Sequence, residues 1–199
     1  MVKKIKIIVL SAVISLLSGF ALADTKVLMQ TSMGDIEIEL DSQNAPLTTK
    51  NFLEYVNEKF YDGLTFHRVI PGFMIQGGGA DKELNFPQPH APIKNEANNG
   101  LKNDRGTIAM ARTSAIDSAA NQFFINVVNN NYLNYQSPEV FGYAVFGKVI
   151  KGMDVVDQIV NVKTTRKGPH QNVPVEPVYI IKMTVVDESV PENPTGSEQ

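Results

Sequence analysis

Between Phe66 and Gly78 the chain carries one cation, one carboxamide and two apolar side chains at spacings that can bring them onto one surface. Arg68 falls in a run, Thr65 to Ile70, that reads as a strand. Pro71-Gly72 turns the chain, and Phe73 to Gln76 reads as the returning strand. Side chains of a strand repeat every two residues, so Met74 and Gln76 share a face, and the turn makes them neighbours of Arg68. Several chemistries do not want this set. Acyl transfer needs a nucleophile with a base, and no such arrangement is readable here. Hydrolytic metal sites need clustered histidines and carboxylates, whereas His67, His90 and His170 are far apart and lack ligand spacing. A phosphate cradle needs glycines that open a helix, but Gly77-Gly78-Gly79 precedes a polar stretch. Rotation about an amide breaks no bond and needs no nucleophile. Its barrier, about 18–20 kcal/mol, comes from amide resonance. Bonds to proline populate both isomers and exchange slowly. A guanidinium that donates to the prolyl nitrogen as resonance is lost, beside an apolar pocket for the ring, would lower that barrier.

The elements that must hold these residues read as many short strands and two helices. Lys26 to Gln30 and Ile36 to Leu40 alternate in polarity around the turn residues Ser32-Met33-Gly34-Asp35, which predicts a hairpin. Pro46 stands near the first position of a helix that runs to about Lys59. Thr107 to Ala111, Gln122 to Val127, Phe141 to Val149 and Val178 to Val186 read as further strands. Met153, Val156 and Ile159 recur at helical spacing. Residues 80–106 are polar and rich in Asn, Pro and Gly, the composition of a long loop. This pattern predicts a closed antiparallel barrel with helices over its ends, although periodicity alone leaves a sandwich open.

The first 23 residues stand apart. Lys3, Lys4 and Lys6 precede the apolar run Ile7 to Leu17, and Ala21-Leu22-Ala23 presents small residues before Asp24. That pattern predicts a secretory signal peptide, cleaved to start the mature chain at Asp24; the competing reading is a membrane anchor, for which the run is short. Its removal leaves 176 residues and takes the formal charge from −3 to −6, with no basic cluster to bind nucleic acid. No later segment is apolar enough to span a membrane. There is no cysteine, so disulfides and thiol chemistry are excluded. An exported chain without cysteine fits the bacterial periplasm, the expected compartment, although composition alone does not name it. Residues 188–199, with Pro191, Pro194 and Gly196, read as a disordered tail, leaving one domain over 24–187.

Three ordered motifs resemble the cyclophilin family, and most closely its bacterial periplasmic members. They are Phe66-His67-Arg68-Val69-Ile70-Pro71-Gly72-Phe73-Met74-Ile75-Gln76-Gly77-Gly78, then Met110-Ala111-Arg112 through Asn121-Gln122-Phe123-Phe124-Ile125, then Phe141 to Val149 followed by Gly152-Met153-Asp154-Val155-Val156. The resemblance spans about 26–187. It implies a closed eight-stranded antiparallel barrel capped by two helices, and peptidyl-prolyl cis-trans isomerase activity without cofactor or metal. It implies Arg68 as catalytic donor and Gln76 as the residue that orients the substrate carbonyl or Arg68. Phe73, Met74, Phe124 and Leu133 would line the proline pocket. Ala111 and Arg112 would border the groove and offer backbone hydrogen bonds, with Gln122 beside it. Tyr132 and Tyr143 complete the expected wall, but stand where the best-known eukaryotic members carry tryptophan and histidine; the first substitution argues against tight cyclosporin binding. The implied partners are proline-containing polypeptides, unfolded or newly exported, met by a monomer.

Each residue also has a plainer reading. Phe73 and Phe124 suit an ordinary core, Met74 a gap-filler, Arg68 a surface ion pair, Gln76 a strand end and His67 a hydrogen-bonded structural histidine. Two other functions compete: a proline-peptide binding module with little turnover, and a structural envelope protein. Arg68 favours the enzyme, because binding alone needs only the apolar pocket.

Overall fold

The computed structural model describes residues 25–186; the expected signal peptide and tail lie outside them. Strand β1 (Lys26–Thr31) pairs with β2 (Gly34–Leu40) across the expected tight turn. Helix α1 (Pro46–Asn57) follows, with Pro46 in its first turn. Then come β3 (Arg68–Ile70) and β4 (Met74–Gly77), β5 (Thr107–Met110), β6 (Phe123–Asn126), a single 3₁₀ turn (Asn131–Leu133), β7 (Val145–Lys151), α2 (Met153–Val160), the pair β8 (Thr164–Lys167) and β9 (His170–Pro174), and β10 (Ile180–Val186).

Eight strands form one antiparallel sheet in the order β10-β1-β2-β7-β5-β6-β4-β3, and β8 and β9 form a separate hairpin. The expected closed barrel is not what forms. The sheet curls into a half-barrel whose end strands, β10 and β3, share no ladder. They approach only at a short seam, where Phe66 N donates to Val178 O at 3.0 Å and Ile180 N to Leu64 O at 2.8 Å. Strand β3 begins at Arg68 rather than Thr65, because Thr65 makes only isolated bridges to Ala80 and Tyr179. A three-residue edge strand cannot supply the backbone pairs that closure needs.

The inner face of the sheet and the two helices enclose the core. Val27, Met29, Ile36, Ile38 and Leu40, the apolar set of the β1–β2 alternation, are fully buried there. Phe52 and Tyr55 come from α1, and Val156 and Ile159 from α2. Phe52 packs against Tyr61, Phe123 and Phe146 at centroid distances of 5.1–5.7 Å, so edge and tilted aromatic contacts dominate the centre.

The 80–106 loop contains no named strand or helix, yet it is tied to the start of α1. Ala45 gives α1 no side-chain cap. Instead the Glu96 carboxylate accepts from the backbone N–H of Leu47 at 3.1 Å and of Thr48 at 2.8 Å, which satisfies free donors where the helix dipole is positive. At the start of α2, Gly152 has φ of 87°, and a Cβ there would collide with the Asp35 carbonyl.

Candidate active site

Strand alternation builds the site. One row of directly opposed residues runs Arg68 (β3), Gln76 (β4), Phe124 (β6), Ala109 (β5), Val145 (β7). The adjacent row, Val69, Ile75, Ile125, Ile108, is wholly buried in the core. A shift of one residue separates the two faces, so Arg68 and Gln76 must point away from the core if Val69 and Ile75 point into it.

On the outer face a second, smaller apolar cluster forms from Met74, Ala109, Phe124, Leu133 and Val145, flanked by Phe73, Ala111 and Tyr143. A cavity of about 110 Å³ opens beside it, lined by Arg68, Phe73, Met74, Gln76, Ala111, Arg112, Phe124, Leu133 and Tyr143. Nine of the eleven residues expected at the site therefore converge on one hollow. Gln122 and Tyr132 lie outside its lining. Tyr132 is 63 % exposed and stacks on Phe73 at 6.0 Å, so it extends the rim rather than the wall.

The polar edge of the cavity is a chain of side chains. Arg68 Nη1 donates to Gln76 Oε1 at 3.2 Å, and Gln76 Nε2 donates to Gln122 Oε1 at 2.9 Å. Gln122 thus enters the site through Gln76. Arg112 is tied down differently. Its Nε donates to Gly142 O at 2.8 Å, and its guanidinium lies 4.7 Å from the centroid of the Tyr143 ring. Tyr143 in turn meets Phe124 edge-on at 5.8 Å. The Ala111 N–H donates to Gln122 O at 2.9 Å, so a peptide at this edge would find that donor already used.

His67 is buried beside Arg68, and its Nδ1 has no hydrogen-bond partner. Burial, above all, lowers its pKa to about 4, with the charges of His170 and Arg68 acting in the same direction. The ring is neutral near pH 7.

Sequence reasoning missed the support behind the pocket wall. Asn103, Asn126 and Asn130 are buried and linked in series. Asn130 Nδ2 donates to Phe73 O at 2.9 Å, and Asn103 Nδ2 donates to Leu133 O at 3.2 Å and Tyr143 O at 3.3 Å. Three pocket residues, one from the β3–β4 turn and two from the β6–β7 connection, are therefore fixed by one carboxamide network. The only hint in the sequence is the density of asparagine between Asn126 and Asn134.

Residues 26–185 match the family model described as cyclophilin type peptidyl-prolyl cis-trans isomerase. A peptidyl-prolyl cis-trans isomerase of Acinetobacter baylyi is 59 % identical over 170 residues, covering 85 % of this chain and 90 % of that one. Peptidyl-prolyl cis-trans isomerase B of Escherichia coli is 55 % identical over 161 residues, covering 80 % and 98 %. Among solved structures, a cyclophilin type isomerase from Cryptosporidium parvum superposes with a TM-score of 0.69 at 26 % identity, covering 82 % of this chain and 98 % of that one. Sequence and fold agree: the chain belongs to the cyclophilin-type peptidyl-prolyl cis-trans isomerases.

Proposed function

We propose that Arg68 catalyses the isomerisation by donating to the prolyl nitrogen as the amide twists, while the cavity between Phe73, Met74, Phe124 and Leu133 holds the proline ring. The observation that carries this reading is the Arg68–Gln76–Gln122 chain at the rim of an apolar hollow. Gln76 anchors one guanidinium nitrogen, which orients the fork without neutralising it. The nitrogen lone pair is free to accept only when resonance is broken, so the bond is stronger in the twisted state than in the planar one. Tyr143, steadied by Arg112, closes the far wall and Tyr132 extends the rim. The substrates on this reading are unfolded or newly exported polypeptides outside the cytoplasm, which rests on the signal-peptide pattern of residues 1–23. The working unit is a monomer.

Turnover of a short Xaa-Pro peptide tests the mechanism. Arg68→Ala should slow it by one to two orders of magnitude, since a charged hydrogen bond is worth about 1.5–3 kcal/mol. Arg68→Lys should recover part of that loss. Retention of most turnover in a folded Arg68→Ala protein would leave the groove as a binding module. Mass spectrometry of the exported protein checks the processing: a chain that begins at Asp24 agrees, and one retained in membranes from Met1 does not.

A further inference from the structure

A second depression, of about 460 Å³, adjoins the proline pocket and shares Arg68 and Gln76 with it. Its other walls are His67, Phe86, Gln122 and the β8–β9 hairpin, from Pro169 in its turn to Asn172 on β9. The hairpin is set over the site by its contact with β3. Phe86, from the long loop, links the two sides: its ring meets His67 edge-on at 5.8 Å and stacks on His170 at 5.3 Å. This is a built cleft rather than a gap between loops, and its polar character is one-sided. Arg68, two histidines and several carboxamides line it, and no aspartate or glutamate does. The cavity of about 370 Å³ between β2, β5 and β7 is different, for Glu39, Asp41 and Asp104 line that one. Within that wall, the buried His67 has an unpartnered Nδ1. The groups that act electrostatically on His67 are His170 and Arg68, with no carboxylate among them.

We propose that this cleft is a second recognition subsite, which takes a carboxylate-bearing residue of the same polypeptide whose proline occupies the neighbouring pocket. The inference rests on the reading of the Arg68 groove as the substrate site. A bound chain that leaves the proline pocket across the Arg68–Gln76–Gln122 edge enters a space with hydrogen-bond donors and a permanent cation but no opposing negative charge. An aspartate or glutamate side chain gains there, and a glutamine of the same shape gains less.

The test uses the purified protein and host peptides with a single Xaa-Pro bond, in which Glu or Gln is placed in turn at each of the three positions before and after proline. The expected result is a Glu over Gln preference in kcat/KM of about two- to fivefold at one or more positions, the size of a solvent-accessible charge pair. It should fade as salt is raised. Gln171→Glu, at the exposed start of β9, should abolish or reverse the Glu over Gln preference. His170→Gln should weaken it. Equal turnover of Glu and Gln peptides at every position overturns the proposal, as does a preference that survives Gln171→Glu. The two readings separate cleanly: charge preference is a Glu to Gln ratio, whereas the role of Arg68 is read from the absolute turnover of the uncharged peptide in Arg68→Ala.

Discussion

Phe123 and Phe124 are adjacent on one strand, identical in type and almost equally buried, at 0 % and 4 % exposure. They belong to different regions. Phe123 faces inward and meets Phe52, Tyr61 and Phe66 edge-on at 5.5–6.3 Å, in a core sealed by both helices. Phe124 faces outward, touches Tyr143, and forms one wall of a hollow lined by no residue of α1 or α2. Burial alone does not distinguish a residue that stabilises the fold from one that holds a ligand. What lies on the open side of the ring does. On the inner face Phe123 has three aromatic partners, whereas the outer cluster opens on a hollow, and on the proposed reading its missing neighbour is the proline of a bound chain.

Breaking each face should therefore give different losses. Phe123→Ala removes a ring from the sealed core and should cost about 3–5 kcal/mol of stability by denaturant unfolding. His67 gives the next effect, seen only in acid. Its pKa is about 4 in the folded protein against about 6.5 in the unfolded chain. The folded state binds the proton less well, so the stability it contributes is present above pH 6.5 and is lost as pH falls towards 4. Complete loss amounts to about 3 kcal/mol. Urea unfolding at a series of pH values should show this slope, and His67→Gln should remove it. The same ring stays neutral between about pH 6 and 8, so it should contribute no step to turnover there.

Phe124→Ala sharpens the comparison, because its loss should appear in binding more than in folding. Removing the wall should weaken proline-peptide affinity about tenfold or more by calorimetry, with a smaller change in unfolding midpoint than Phe123→Ala produces. If Phe124→Ala destabilised the fold as much as Phe123→Ala, the distinction between the two faces would collapse. The smallest effect is expected at the rim. Tyr132 is mostly exposed and stacks on Phe73. Tyr132→Trp adds an indole N–H and contact area, and should strengthen cyclosporin inhibition severalfold with little change in turnover.

The legible parts of the molecule were those where local chemistry and period agree. The alternation of Ile36, Ile38 and Leu40 places three fully buried side chains, and Pro46 marks the start of α1. Arg68 and Gln76 were readable as neighbours because a tight turn joins two short strands, and they are directly opposed. The illegible parts depend on distant partners. Barrel closure was overestimated because strand count does not reveal whether end strands meet. The β8–β9 hairpin escaped notice because Thr164-Thr165-Arg166-Lys167 has no apolar alternation, being a two-stranded ribbon outside the core. Glu96 caps a helix about fifty residues away in sequence, and no local pattern announces that. The asparagines at 103, 126 and 130 read as loop residues, since only folding brings their carboxamides into series.

The central claim is that the outward face separates holding proline from twisting its bond: the apolar hollow does the first and Arg68 the second. Exchange spectroscopy by NMR on a labelled Xaa-Pro peptide measures both in one sample, as the affinity and as the cis-trans exchange rate of the bound peptide. For Arg68→Ala the account predicts affinity within about threefold of the parent protein and bound-state exchange slowed by about ten- to a hundredfold. Exchange that persists at the parent rate, or that falls only because the peptide no longer binds, would contradict it.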